Sequence, residues 1–508
     1  MKICQAALMG LVLGLSGCAV GPDYHPPEIM LPHTFLPPVV QLAQTKAKKP
    51  AADLVEWWRF FGDPELNLLV SRAIECNPDL EIALTRLQAA RTKELVVTGQ
   101  ALPSAGGTGG AGIGTGTNLT IGRVSPLLRS AQNPTNLSVL SESGGFDAAW
   151  EIDFFGKFRR EIEAATYESE ALAAARDWIL VTVAADVARA YLDMRALQRQ
   201  LVVLRKNINA ARKSYEFAKE RFERGITNEL DVALAQRYVA TLQAGVAPLE
   251  AQIAGSQNVI AVLLGELPED LAKELTRAGK LPALPAEIAP GLPIDLLRRR
   301  PDIREAESRL AAATARIGVA TADLFPRVIL SGALGGQGGK DSGKAIPLTF
   351  IKSAGPSIYW PLLDFGTLDA IANIAELEAH EALTNYKQTI LTAVQQVDDA
   401  IAAYGAAQQR LRDLNRALVA ARRSTKIATE RYDRGLTDYL NVLDAERQEY
   451  DLEAQYVSTQ QIAAEQLIAL YKALGGGWEL YQITPLIKLP QPAIIAAARR
   501  LLWPNQTR

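Results

Sequence analysis

Residues 221–232 read RFERGITNELDV, and residues 431–442 read RYDRGLTDYLNV, with the two glycines 210 positions apart. A repeat of this length limits what the chain can fold into, because the architecture must accommodate one unit twice. The same 210-residue offset joins Trp150 to Trp360, Phe155-Gly156 to Phe365-Gly366, and Leu264-Gly265 to Leu474-Gly475. Upstream the offset becomes 223, where Asn77-Pro78-Asp79-Leu80 answers Arg300-Pro301-Asp302-Ile303 and Pro103 answers Pro326. The change of register falls between Pro103 and Trp150, so the first copy carries the longer insertion there.

Each copy runs in the same order. A helical stretch (79–101, 302–324) rich in Ala, Leu, Arg and Glu stops near a proline. A glycine-rich or alternating region follows, ending at Phe-Gly. A proline-free run of good helix formers then extends over 157–224 and 367–434, ending at Arg-Gly, where glycine supplies a left-handed cap. A return helix closes the copy at Gly265 or Gly475. At 1.5 Å per residue the long helix spans roughly 100 Å, the return helix roughly 60 Å and the leading helix roughly 35 Å. The two shorter helices, end to end, therefore match the long one. Pro248 predicts a kink in the first return helix, whereas the second copy has Ser458 at that place.

Between the helices, residues 146–154 alternate Phe146, Ala148, Trp150, Ile152 and Phe154 with Asp147, Ala149, Glu151 and Asp153. That period of two puts acids on one face of a strand and aromatics on the other. Segments 328–334 and 356–362 alternate likewise, while 104–116 is too glycine-rich to show a pattern. Strands apolar on one face and polar on the other are the signature of a transmembrane barrel. Four strands cannot close one, and lipid does not tolerate open edges, so insertion requires several copies. Two copies give eight strands and a filled barrel; three give twelve and room for a channel.

The start of the chain pairs Lys2 with a short apolar run, residues 5–15, too short to span a bilayer. It reads as an export signal (1–17) ending in Leu15-Ser16-Gly17-Cys18, which resembles a lipoprotein cleavage box and implies acylation at Cys18; Ala19 in place of Asp favours the outer membrane. The only cysteine after Cys18 is Cys76, which excludes an internal disulfide in the mature chain. With 54 basic and 56 acidic residues the chain has no basic field for nucleic acid. The three histidines show no metal or nucleophile spacing, Asp398-Asp399 reads as a solvated helix face, and Gly107–Gly112 lacks the strand-turn-helix setting of a dinucleotide site. No catalytic constellation, cofactor site or metal site is expected.

Cys18-Ala-Val-Gly-Pro-Asp-Tyr24, Trp57-Trp58, Phe61-Gly-Asp-Pro64, Arg299-Arg-Pro-Asp-Ile303, Phe325-Pro326 and Tyr471-Lys-Ala-Leu-Gly-Gly-Gly-Trp478 together resemble the landmarks of outer-membrane efflux lipoproteins of the NodT and OprM type, relatives of TolC. The resemblance spans the mature chain. It implies a mainly α fold with a small β part: a homotrimer with a 12-stranded transmembrane β-barrel, four strands per chain, on an α-helical periplasmic barrel. The expected units are an anchored arm (18–63), a first repeat (64–265), a linker (266–297), a second repeat (298–475) and a tail (476–508), with arm, linker and tail forming a belt. The implied role is a non-enzymatic exit duct for drugs or other small molecules, working with a periplasmic adaptor and an inner-membrane pump, commonly of the resistance-nodulation-division class.

The resemblance also implies site residues. The tips Gly225-Ile226-Thr227 and Gly435-Leu436-Thr437 would meet the adaptor. Asp444 would form an acidic ring with Leu440 one turn earlier, and Asn441 stands where some members have a second Asp. Tyr432 and Asp231 would link coils in the closed state, while Thr437 replaces an arginine that joins such links elsewhere. Asp147, Glu151 and Asp153 would line the barrel lumen. Two alternatives stay open: the same fold exporting protein or another cargo, and a lipid-anchored periplasmic scaffold without a pore.

Overall fold

The computed structural model describes residues 19–28, 54–115, 138–275, 284, 299–341 and 344–479. The signal, Cys18, residues 29–53 of the arm, the insertion at 116–137, most of the linker and most of the tail lie outside the described residues. A short 3-10 turn, Trp57–Phe61, precedes α1 (Pro64–Cys76) and α2 (Pro78–Gln100). Strands β1 (Ser104–Thr115) and β2 (Ser138–Ile152) lead into α3 (Lys157–Glu223), α4 (Glu229–Ala244), α5 (Val246–Leu263) and α6 (Pro268–Glu274). The second copy comprises α7 (Pro301–Ala322), β3 (Arg327–Asp341), β4 (Lys344–Tyr359), α8 (Thr367–Asp433) and α9 (Tyr439–Ala473).

The repeat expected from the sequence is visible element by element. Helices α3 and α8 each have 67 residues, about 100 Å of helix. Helix α3 is flanked by α2 and by α4 and α5, and α8 by α7 and α9, while α7 also packs against α3. The first return helix breaks at Gly245, three residues before Pro248, and α9 runs through the matching place unbroken for 35 residues. Proline has no N–H to give Ala244 and its ring crowds that carbonyl, so the helix restarts with Pro248 in its first turn.

The four strands form one antiparallel sheet in the order β1-β2-β3-β4. Phe146 pairs with Leu334, which pairs with Lys352; Trp150 pairs with Leu330, which pairs with Pro356. Directly paired residues share a face, so the aromatic and aliphatic positions of the strands gather on one side. Asp147, Ala333 and Ser353, then Glu151, Ile329 and Ser357, fall on the other. Strand β1, not legible in the sequence, pairs with β2 along its full length. Two strand ends differ from expectation: β2 stops at Ile152 rather than Phe154, and β4 stops at Tyr359 rather than Leu362. Asp153 is taken up by the start of α3, accepting from the N–H groups of Phe158 at 3.2 Å and Arg159 at 3.1 Å. Beyond β4, the Trp360 indole donates to the Leu324 carbonyl at 3.1 Å. Its repeat partner Trp150 donates to the Ala101 carbonyl at the same distance.

The main core sits midway along the helices, where Trp57, Trp58, Phe61, Leu66, Leu69 and Val70 pack against α3, α5 and α9. Trp57 stacks on Tyr471 with ring centroids 5.2 Å apart. At Gly476 a Cβ would lie 2.5 Å from the Leu54 carbonyl oxygen, so the glycine run of the Tyr471–Trp478 landmark lets the arm cross here.

Candidate functional site

At the end of the helices farthest from the sheet, both copies make the same turn. Gly225 has φ 72° and Gly435 φ 69°. The Gly225 N–H donates to the Phe222 carbonyl and the Ile226 N–H to the Arg221 carbonyl, at 2.8 and 2.9 Å. Gly435 and Leu436 repeat this on Tyr432 and Arg431, both at 2.9 Å. This paired closure satisfies the last carbonyls of α3 and α8 and requires the left-handed conformation that glycine supplies. Ile226 and Leu436, next in each turn, are 58% and 62% exposed, so each tip presents an apolar residue to solvent.

Behind the turns the copies diverge. The Thr227 hydroxyl donates to the Asp231 carboxylate, and the Asn228 side chain caps α4 by accepting from the Asp231 N–H at 3.2 Å. In the second copy the Asn441 amide donates to the Thr437 hydroxyl at 2.8 Å. Asp231 and Asn441 hold equivalent repeat positions, so one acceptor and one donor perform the same local task. Asp231 is buried, whereas Leu440, Asn441 and Asp444 are exposed. Asp444 accepts from the Gln448 amide at 2.7 Å.

The structure brings Tyr432 and Asp231 to one place within a single chain. Burial chiefly raises the Tyr432 phenol pKa; the Asp231 charge adds to the rise and Arg221 opposes it. Arg221 lies over the Tyr432 ring at 4.6 Å and donates to the Tyr432 carbonyl at 2.7 Å. Phe217 and Tyr439 complete the cluster, with centroids 5.9 and 5.5 Å from the Tyr432 ring. Arg221 joins one coil to the other, a role that sequence reasoning missed; its adjacency to the first glycine turn was the only available signal.

Other junctions are also built on arginines. Arg300, 1% exposed, donates to the Ala473 carbonyl at 2.8 Å, to Asp302 at 2.6 Å and to Gln396 at 2.9 Å. In the first copy the Asn77 amide does the corresponding work on the Leu263 carbonyl at 2.8 Å. Near the sheet, Arg160 holds the segment after Cys18, donating to the Val20 carbonyl at 3.2 Å and to Asp23 at 2.7 Å. The Val20 N–H donates to the Phe155 carbonyl at 3.0 Å, which fixes this segment at the junction of sheet and helices.

Among the described residues no cluster of metal-ligating side chains occurs, and no helix is long and apolar enough to cross a membrane. The sheet instead offers an exposed apolar face: Phe146 (74%), Phe350 (75%) and Ile358 (72%). Residues 69–266 and 292–476 match the model of the family described as outer membrane efflux protein. The chain belongs to the outer membrane efflux protein family.

Nodulation protein T of Rhizobium leguminosarum bv. viciae is 32% identical to this outer membrane efflux protein over 491 residues, 96% of each chain. The toluene efflux pump outer membrane protein TtgF of Pseudomonas putida is 32% identical over 498 residues, covering 94% of this chain and 98% of its own. Among solved structures, the outer-membrane channel OprN superposes with a TM-score of 0.80 at 35% identity, covering 91% of this chain and all of that one. As an outer membrane efflux protein the chain resides in the bacterial outer membrane, with its long helices on the periplasmic side.

Proposed function

We propose that this protein is the passive exit duct of a tripartite efflux system, assembled as a homotrimer. The observation that carries this reading is the sheet, whose face is apolar and aromatic on one side and carries Asp147 and Glu151 on the other. Its outer strands β1 and β4 are unpaired edges within the chain. Lipid does not accept such edges, and β4 of one copy against β1 of the next removes them. Three copies supply about twelve strands, wide enough for a water-filled lumen. Asp147 and Glu151 would then face that lumen; Asp153, occupied at the start of α3, would stand at its periplasmic rim.

The tips are the proposed periplasmic mouth. Exposed Ile226 and Leu436, flanked by Gly225, Thr227, Gly435 and Thr437, would dock the hairpins of an adaptor, which joins the duct to an inner-membrane pump of the resistance-nodulation-division class. Asp444 from three copies would form the acidic ring, with Leu440 and Asn441 beside it. Tyr432 and Asp231 would hold the closed state, with Arg221 adding to their cluster. The segment Ala19–Glu28, held at the junction below the sheet, supports a lipid on Cys18 entering the outer membrane. The belt of arm, linker 266–297 and tail 476–508, around repeats 64–265 and 298–475, completes this arrangement. Relatives named for toluene efflux and for cation efflux support a duct that takes unlike cargo, with the choice of cargo left to the pump.

Recording from planar bilayers tests the reading. The wild-type trimer should conduct weakly, and Asp444→Ala, or Tyr432→Phe combined with Asp231→Ala, should raise conductance several-fold. Purified protein that stays silent in all three forms would sink the duct.

A further inference from the structure

A cavity of about 410 Å³ opens between the two return helices, just inside the tips. Arg237, Tyr238 and Thr241 of α4 line one wall, and Arg447, Tyr450 and Asp451 of α9 the other. Leu242 and Leu443, both buried, form its apolar floor. The walls are related by the internal repeat: Arg237 and Arg447 are 210 positions apart, as are Thr241 and Asp451. The duplication thus places two arginines in one cavity, and both are exposed to solvent. Neither guanidinium forms an ion pair among the described residues; Arg212 and Arg423 on the long helices also form none, and it is the shared cavity that sets Arg237 and Arg447 apart.

The position on α9 connects this cavity to the proposed mouth. Leu440, Asp444, Arg447 and Asp451 follow one another at spacings of four, three and four, which places them on one helix face. Arg447 stands about 4.5 Å along the helix from Asp444. Three copies would set six arginines directly behind three Asp444 carboxylates.

The geometry points to a binding site for aromatic or amphipathic anions, molecules that carry a carboxylate or sulfonate on an apolar body. Two guanidinium forks pair with the oxyanion, and the apolar body lies on the leucine floor between the Tyr238 and Tyr450 rings. The volume suits a ligand of drug size. Asp451, the one carboxylate in the lining, offsets one of the two arginines and leaves a net single positive charge, so monoanions are the class that fits. Burial chiefly raises the Tyr238 phenol pKa; the charges of Glu446 and Asp451 add to the rise and Arg447 opposes it, so charges carried by α9 act across the cavity on α4. The transport role of this site rests on the duct reading; the binding itself does not.

Salicylate is the probe, with neutral salicylamide as its control, titrated calorimetrically into the full-length detergent-solubilised protein. Salicylate should bind saturably and more weakly as salt rises, while salicylamide should not bind comparably. Arg237→Gln combined with Arg447→Gln should weaken salicylate at least about tenfold, and Arg205→Gln, on the outside of α3, should leave it unchanged. Undetectable salicylate binding, equal binding of salicylamide, or full affinity in the double variant would overturn the site. Bilayer recording of the same preparations separates the two readings. A conducting protein that does not bind salicylate keeps the duct and loses the site. A protein that binds and never conducts keeps the site and loses the duct.

Discussion

At the scale of the residue, the molecule depends on polar side chains held in mostly apolar seams. Asp193 of α3 faces Glu465 of α9, and the Gln461 amide donates to both at 3.1 Å, with Arg189 3.7 Å from Glu465. Burial, then the hydrogen bond and charge of Glu465, push Asp193 from 3.8 up to about 7. An acid raised in the native state binds its proton more tightly folded than unfolded. This site therefore supports the fold below about pH 4 and loses that contribution as pH rises through about 7. Asp193→Asn should consequently match wild type in melting temperature at pH 4 and exceed it at pH 8; a variant less stable at both would count against this. Arg300 behaves oppositely, as a buried cation whose every branch is engaged. Arg300→Ala should cost about 3–5 kcal/mol by leaving Asp302 without its cation and a helix-end carbonyl unpaired, and Arg300→Lys should recover only part of it in thermal unfolding. The RRPDI landmark made Arg300 visible in the sequence. Its work was not legible, because Gln396 and Ala473 lie 96 and 173 positions away.

At the scale of the element, the glycine turns show what local chemistry fixes without help. A Cβ at Gly225 would meet nothing within 4 Å, so its cost is one of backbone conformation rather than space. Gly225→Ala and Gly435→Ala should each destabilise their tip by about 1–2 kcal/mol. Hydrogen exchange would register this as faster exchange at residues 222–230 or 432–440, with the mid-helix core unchanged. The return helices offer the complementary case. Pro248→Ser gives the first copy the residue of the second, and α4 and α5 should then join into one helix; amides around Gly245 that exchange as fast as before would refute this. Helices were legible because their composition and period agree over dozens of residues. Strand β1 was not, since glycine leaves no alternation to read, and the pairing along β2 defines it. The ends of β2 and β4 were misjudged because alternation continues into Asp153 and Trp360, which the tertiary structure assigns to a helix start and a helix-to-sheet hydrogen bond.

At the scale of the whole molecule, one chain is incomplete by its own physics. Its sheet keeps two open edges, and α8 leaves Ile371, Ile374, Leu377 and Leu391 exposed. In the proposed trimer, neighbouring copies would cover both, so the isolated chain should be found only under conditions that also unfold the sheet, as sedimentation in graded detergent and denaturant would reveal. In a conducting trimer, Asp147→Asn combined with Glu151→Gln should lower the cation-to-anion permeability ratio at least about twofold, read from reversal potentials in a salt gradient. An unchanged ratio would mean that these carboxylates do not line the path.

The sequence by itself determined the duplication, the long helices, the glycine turns and the amphipathic strands, because each is encoded in residues adjacent along the chain or related by one fixed offset. It also carried the landmarks that pointed to the family. Only the tertiary structure decided which distant groups come together: Arg221 on Tyr432, Arg300 on the end of α9, the segment after Cys18 on Arg160, and Arg237 with Arg447 in the lining of one cavity. The contacts of Arg160 and Arg221 span 140 and 211 positions of chain. Their free energies depend on burial and direction, quantities that exist only once the helices have packed.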